Sequence, residues 1–258
     1  MKNVIIDYLK YDDLKKIQNF IKNNWSKKHL FTYDEIIFNF QYLFKKKYTF
    51  LVARTNNKIL GVQGFINNNK YALEQDSKQI FLAFWCVKKN ISFGIGLQLQ
   101  NSINKLTQPS FVGIVGINKR ALKLHKWLGF KVLKMKHQVL VSPFLNKFKI
   151  LKLGKYKIDK KLILSNQKFV KINKININKL IKKKFYQIQT PLKSNKYIIN
   201  RYLNHPIFKY NVFLLNNKNK PAAIFVIRKI NIKGSNILKL VDYIGENKFF
   251  YMFNQLGI

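Results

Sequence analysis

FVGIVGINKRALKLHKWLGFKVLKM, residues 111–135, reads as a strand, a helix and a second strand in close succession. Phe111–Ile117 is an apolar run of strand length. Asn118 has the short polar side chain that caps a helix N-terminus. Lys119–Leu128 has helical spacing, Gly129 supplies the left-handed residue that closes a helix, and Phe130–Met135 reads as a returning strand. Upstream, FLAFWCVKKNISFGIGLQLQ, residues 81–100, runs from a strand through Gly94-Ile95-Gly96 into another helix. Glycines there let backbone amides approach a ligand, and the helix end favours a nearby anion by about 0.3–1 kcal/mol. Such a turn suits a pyrophosphate. It is not a dinucleotide-binding fingerprint, because the third glycine and the downstream ribose-binding acid are missing.

Working outward, strands are expected at Val4–Ile6, Thr49–Ala53, Ile59–Ile66 and Ile80–Val87. Helices are expected at Asp12–Asn24, with Leu14, Ile17, Phe20 and Ile21 inward, and at Thr32–Leu43. The second opens on a capping-box-like Thr32-Tyr33-Asp34-Glu35 and turns Ile36, Ile37, Phe40 and Leu43 inward. With the helix Gly96–Leu106 the order is β-α-α-β-β-β-α-β-α-β. The hairpin in Tyr48–Ile66 has a counterpart of nearly equal spacing in Tyr210–Arg228, whose turn falls at Asn216–Lys220. Each is followed by another apolar strand, Ile80–Val87 or Ile237–Val241. This weak internal repeat predicts two copies of one architecture. The expected division is a first domain at 1–141, a connecting segment at 142–160, and a second module at 161–258. That module has no counterpart of Phe111–Met135, as if C-terminally incomplete or part of an unfinished reading frame.

A chain of 258 residues with 47% hydrophobic content buries a real core without staples. One cysteine, Cys86, excludes an internal disulfide framework and leaves a reducing cytoplasm as the expected location. The N-terminus lacks the apolar run of a signal peptide, and no stretch reaches the roughly 18 apolar residues of a membrane span. The net charge is +39. It points either to a polyanionic partner or to coding bias toward Lys, Asn and Ile. The scarcity of arginine (Arg54, Arg120, Arg201 and Arg228) favours bias over specific nucleic-acid recognition, because the planar arginine fork is the usual reader of bases and phosphates. The field would still attract anionic ligands and, weakly, an anionic membrane surface.

The spacing N-x-x-A-x7-G-F, from Asn118 and Ala121 to Gly129-Phe130, with Gly94-Ile95-Gly96 before it, resembles the closing signature and pyrophosphate loop of the GNAT acyltransferase superfamily. The resemblance covers residues 1–140. It implies a mixed, mostly antiparallel α/β sheet flanked by helices, followed here by a second, partial GNAT-like module. It also implies acetyl-CoA or another acyl-CoA as co-substrate without a metal, held by Trp85, Val87, Phe93, Gly94, Ile95, Gly96 and Asn118. Two positions depart from the family pattern: Ile91 replaces a Gln or Arg, and His125 replaces the general-acid tyrosine. His125 is accordingly a candidate acid, with a packed helix-face histidine as its plainer reading. Trp85, Met135-Lys136-His137 and the segment from Pro191 are similar to tandem-GNAT sugar N-acyltransferases of surface-polysaccharide pathways. That similarity implies a nucleotide-linked amino-sugar acceptor bound by Lys193, Arg201, Tyr202 and His205. The acceptor residues would face the acceptor side of the first module. His137 and Asp242 are the candidate bases. Cys86, in an apolar strand without a paired base, reads as a buried structural thiol. Two other readings stand beside this one: a GNAT acting on a peptide or protein amine, and a non-catalytic GNAT-like protein that binds RNA or an anionic surface.

Overall fold

The computed structural model describes residues 3–56, 58–72, 78–89, 94–134, 139, 149, 168–188 and 193–257. Phe93, His137, Ile91, Pro191 and all of the segment 142–160 except Lys149 lie outside them. The chain divides into two compact units, Met1–Val132 and Leu133–Ile258.

In chain order the first unit runs β1 (Ile5–Tyr8), α1 (Leu14–Asn24), α2 (Glu35–Tyr42) and a small ribbon of β2 (Leu43–Phe44) with β3 (Lys47–Tyr48). It continues through β4 (Phe50–Thr55), β5 (Lys58–Asn67), the single turn α3 (Asn69–Ala72), β6 (Gln79–Val87), α4 (Ile95–Thr107), β7 (Phe111–Ile114) and α5 (Lys119–Trp127). The main sheet has the order β1-β4-β5-β6-β7. Its first three pairs are antiparallel and the last, β6 with β7, is parallel.

The two faces of this sheet differ in chemistry. On one face α4 lays Ile95, Leu99 and Ile103 onto Leu51, Ala53, Leu60, Ile80 and Leu82. Gly61 lets that helix come close, since a Cβ there would lie 3.1 Å from Ile95 and 3.2 Å from Leu99. The other face is aromatic: Phe31, Phe38, Tyr42 and Phe50 meet at centroid distances of 4.9–5.5 Å, several of them edge to face. Each such ring contributes about 1.5–3 kcal/mol through burial alone. The α1 stripe of Leu14, Ile17, Phe20 and Ile21 is buried, as its period requires.

Three local expectations are corrected. Thr32 does not cap α2; its hydroxyl donates backward to the His29 carbonyl at 2.7 Å. Asp34 caps the helix instead, its Oδ1 accepting the Ile37 N–H at 2.9 Å. In that helix Ile37, Phe38 and Tyr42 are buried against the sheet's aromatic face, while Ile36 is 66% exposed. The strand expected at Phe130–Met135 is not formed over residues 130–134. Gly129 (φ +83°) closes α5, and the Phe130 N–H donates back to the His125 carbonyl at 2.9 Å, which takes it away from any ladder. β7 ends at Ile114, short of the expected Ile117, ahead of Gly116 at φ +75°.

The second unit runs β8 (Lys168–Ile172), α6 (Ile177–Leu180), a 3₁₀ segment Lys183–Ile188, and α7 (Asn195–Ile198), which passes into a π-helical turn at Ile199–Leu203. Then come β9 (Asn211–Asn217), β10 (Lys220–Ile232), β11 (Ser235–Gly245) and a 3₁₀ segment Asn247–Gly257. The sheet order is β11-β10-β9-β8, antiparallel throughout. A strand, helical turns and three successive antiparallel strands therefore occur twice in the chain, in the same spatial order. Both first hairpins close through two-residue loops, pairing Thr55 with Lys58 and Asn217 with Lys220. β11 is longer than the apolar run Ile237–Val241, because its polar residues Ser235, Asn236 and Asp242 also pair with β10. Among the described residues no helix is long and apolar enough to cross a bilayer, and no cluster of His, Cys, Asp and Glu is placed to hold a metal ion.

Arg54 ties the first unit's edge together. Its guanidinium donates to Asp7 on β1 and to Asp13 ahead of α1, each at 3.0 Å. Lys16 and Arg54 beside Asp13 hold its carboxyl below the usual carboxylate range. A depressed folded-state pKa gives stability that is present above the unfolded value of about 3.9 and lost as the pH falls. Arg54→Met is expected to cost about 1–3 kcal/mol at neutral pH and to flatten the acid limb of the stability curve. Urea unfolding between pH 3 and 7 measures both effects; an unchanged acid limb contradicts the assignment. At Gly64 a Cβ would lie 2.5 Å from the Tyr42 ring and 2.7 Å from the Ala83 carbonyl. Gly64→Ala is therefore expected to lower stability by about 1–3 kcal/mol, read as a fall in the denaturation midpoint.

Candidate active site

β6 contains one residue too many for its partner. Gln63 pairs with Trp85 and Gly64 with Ala83, which leaves Phe84 unopposed at φ +68°. A phenylalanine in the left-handed region of a strand is strained by roughly 1–3 kcal/mol. The bulge changes the parity of everything after it. Before it, Ile80 and Leu82 face α4. After it, Val87 packs against that same cluster and the Trp85 indole lies against the first turn of α4. Phe84 itself turns to the aromatic face, near Trp25 (5.4 Å), His29 (5.5 Å) and Phe31 (5.9 Å). β7 pairs with β6 only along Gln79–Leu82. From Ala83 to Val87, β6 thus presents one edge that no described strand covers.

The end of β6 leads to the N-terminus of α4. Gly94 caps this helix at φ +109°, and a Cβ built there meets nothing within 4 Å. Gly96 has a different task. A Cβ there would lie 2.6 Å from Trp85 Cζ2 and 3.2 Å from its Nε1, so the missing side chain is the space the indole occupies. The two glycines read together in the sequence therefore separate: Gly94 bends the backbone in open space, and Gly96 admits a tryptophan. Ile95, between them, is buried in the core beneath α4.

α5 places the histidine. Asn118 Oδ1 accepts the Ala121 N–H at 2.9 Å and starts the helix. One turn later, His125 Nδ1 lies 2.7 Å from the Ala121 carbonyl. A carbonyl oxygen only accepts, so Nδ1 carries the proton, and in the neutral ring Nε2 holds a lone pair. The ring is 3% exposed, set edge-on between Trp85 (5.6 Å) and Phe130 (5.0 Å). His125 Nε2 and Trp85 Nε1 are both buried, and neither has a hydrogen-bond partner among the described residues. Two adjacent rings thus offer one acceptor and one donor. Their complement is a group that donates and accepts at once, such as an amide, and the pantetheine arm of CoA carries two. The residues present therefore fit that molecule. Cys86, by contrast, is buried and its thiol is pushed up to about 11 by desolvation, which removes it as a nucleophile.

The other sequence candidates gather in the second unit. Lys193 Nζ lies 2.6 and 2.8 Å from the two Asp242 oxygens. Tyr202 donates its hydroxyl to Asp242 Oδ2 at 2.6 Å, and the Tyr243 N–H donates to Oδ1 at 2.9 Å. Both carboxylate oxygens are therefore engaged, which suits an anchor better than a base. The Arg201 guanidinium sits 5.8 Å from the Tyr197 ring and 5.9 Å from the Tyr202 ring. His205 packs on Phe208 (4.9 Å) and Tyr210 (5.4 Å), and its Nδ1 accepts the Ile207 and Phe208 N–H groups. Burial, then Arg201 and Arg228, hold the His205 pKa below its ordinary value. Arg228, over the Phe208 ring at 4.3 Å, is the member that sequence reasoning missed. Its rarity as one of four arginines was the available signal.

No protein-family model matches the chain, and no curated protein matches it in sequence. Solved structures do match. A GCN5-related N-acetyltransferase from Anabaena variabilis is 11% identical with a TM-score of 0.57, over 98% of this chain and 62% of that one. An inferred acetyltransferase from Pyrococcus horikoshii is 13% identical with a TM-score of 0.52, over 94% of this chain and 73% of that one. The chain thus spans less than two thirds of the Anabaena protein. Identities this low speak to architecture, and on that ground the chain has the α/β fold of the GCN5-related N-acetyltransferases.

Proposed function

We propose that the protein is an acyl-CoA-dependent N-acyltransferase whose first unit holds the donor. The observation that carries this reading is the buried, unpartnered pair of Trp85 Nε1 and His125 Nε2 beside the N-terminus of α4. In this reading the pyrophosphate meets the amides of the Gly94–Gly96 turn, where the helix end favours negative charge. The pantetheine arm follows the uncovered edge of β6 from Ala83 to Val87, with Phe93 and Asn118 assigned to its surroundings. A β6 backbone N–H near Val87 polarises the thioester carbonyl. The acceptor amine attacks that carbon; the new C–N bond forms, the C–S bond breaks, and the amine's proton ends on the departing sulfur. His125 can move protons only through Nε2, because Nδ1–H is held by the Ala121 carbonyl, so the acid role takes Nε2 from the pantetheine contact and leaves that contact to Trp85 Nε1. Deprotonation of the amine is assigned to water or His137 rather than to Asp242. Positioning the amine against the thioester supplies much of the rate.

The acceptor we assign is an amino-sugar carried on a nucleotide, with Lys193, Arg201, Tyr202 and His205 as its binding residues. This rests on the charged donors of Lys193 and Arg201 and on the Tyr202 and His205 rings, which suit phosphates and hydroxyls. The two solved relatives are described as acetyltransferases, which agrees with the reaction class.

The test compares CoA with 3′-phosphoadenosine diphosphate, which lacks the pantetheine arm, by calorimetry at physiological salt. CoA is expected to bind more tightly. Trp85→Phe keeps an aromatic ring at this position and removes the N–H, and is expected to weaken CoA about tenfold, the equivalent of ~1.4 kcal/mol for one hydrogen bond, without changing the truncated nucleotide. Equal affinities for the two ligands in the unmodified protein would sink the assignment. Salt-sensitive RNA binding without any CoA binding would favour a binding protein instead. His125→Ala is expected to lower turnover by about 10²–10⁴-fold, and a loss below threefold returns His125 to a packing role.

A further inference from the structure

Two backbone irregularities in the second unit converge on one group of side chains. The first is the π-helical turn Ile199–Leu203, which carries Arg201 and Tyr202. Such turns are rare and concentrate where side chains must be aimed. The second is a bulge between β10 and β11. Val226 pairs with Asp242 but Ile227 pairs with Leu240, so Val241 is the extra residue. Leu240 and Tyr243 both pack beside the core of Ala223, Phe225 and Ile227. An unbroken strand would put residues 240 and 242 on one face. The bulge separates them and turns Asp242 to the face shared by Val226 and Arg228.

The consequence is chemical. Asp242 holds Lys193 and Tyr202, and Tyr202 packs on Tyr210 at 5.3 Å. Arg228 rests on Phe208 and Arg201 on Tyr197 and Tyr202, and both arginines act on His205 and Tyr210. Two planar guanidinium groups thus flank a ring cluster on one surface, and Arg201, His205, Tyr210 and Arg228 are all part-exposed. The acids in this unit's described residues, Asp242 and Glu246, each pair with a lysine, so the local field is strongly positive.

We propose that Arg201 and Arg228 form a binding site for a diphosphate ester, with Phe208, Tyr210 and His205 supporting the group attached to it. The guanidinium fork matches phosphate oxygens two at a time, and packing on aromatic rings holds that fork in place before the ligand arrives. The inference rests on reading these residues as the acceptor's, and narrows the acceptor to one that carries a diphosphate. It does not depend on the CoA assignment.

The experiment is a titration of the full chain with uridine diphosphate, inorganic pyrophosphate and CoA at physiological salt. The variants are Arg228→Lys and Arg201→Lys, which keep the net charge of +39 and remove only the fork. Both are expected to weaken uridine diphosphate at least tenfold while CoA affinity and melting temperature stay unchanged. Pyrophosphate is expected to bind more weakly than uridine diphosphate and to lose affinity in the same variants. Tighter pyrophosphate binding would overturn the support role of the rings. Unchanged uridine diphosphate affinity in both lysine variants would show a diffuse field and overturn the site, as would no binding to the unmodified chain. Should a variant's melting temperature fall, the same titration with Arg228→Gln, judged against its own CoA affinity, replaces it. Loss of diphosphate binding with CoA binding intact refutes this site alone, whereas loss of CoA binding in the unmodified protein refutes the transferase reading alone.

Discussion

Phe84, held at φ +68° in the middle of β6, is the point on which the placement of Trp85 in the first unit depends. One residue inserted opposite the Gln63–Gly64 step reverses the side-chain alternation, so Trp85 rather than Phe84 reaches α4. The strain of roughly 1–3 kcal/mol is sustained by neighbours on both faces. Phe84 enters a cluster with Trp25, His29 and Phe31, where each ring pair adds about 0.5–1.5 kcal/mol beyond its buried area. Gly64 leaves room for the Tyr42 ring, whose hydroxyl donates to the Ala83 carbonyl at 3.0 Å and fixes the backbone just before the bulge. On the other side, Gly96 leaves room for the indole.

The second unit repeats both the strand order and the device. Its bulge at Val241 does for Asp242 what the bulge at Phe84 does for Trp85: it turns a side chain onto the face opposite to the one a regular strand would dictate. The helical part contributes its own irregularity at Ile199–Leu203. In each unit the regular ladder builds the core and the break in regularity aims the unusual residues. This is the ordinary division of labour between a scaffold and the residues grafted on it.

The charge of the chain takes on a clearer meaning against this background. Lysines supply most of it, and those among the described residues lie largely on exposed positions, consistent with a coding bias that the fold tolerates. Arg54, Arg201 and Arg228 are different. Arg54 bridges two carboxylates with two separate nitrogens, and the other two lie on aromatic rings. Both uses depend on a planar, delocalised cation, which an ammonium group does not provide.

Periodicity made much of the fold legible, because apolar spacing reports directly on which side of an element meets a core. The α1 stripe, the strands from β4 to β6, the hairpin turns and the Asn118 and Gly129 caps are all local matters, settled within a few residues of chain. Composition likewise marked out Arg201, His205 and their neighbours as unlike the lysine- and asparagine-rich background. Other features have no local cause. Thr32 and Asp34 are equally good caps by type, and only the His29 carbonyl determines that Thr32 turns backward. A bulge adds one residue to a pairing between strands, so neither strand's own pattern reveals it. The distinct tasks of Gly94 and Gly96, the unpartnered nitrogens of Trp85 and His125, and the recruitment of Arg228 beside Arg201 all depend on contacts between residues far apart in the chain. Local spacing and conformational preference, both written in the chain, account for the elements and the inventory of chemical groups. Which of those groups face each other follows from strand register, and register is a property of two paired segments rather than one.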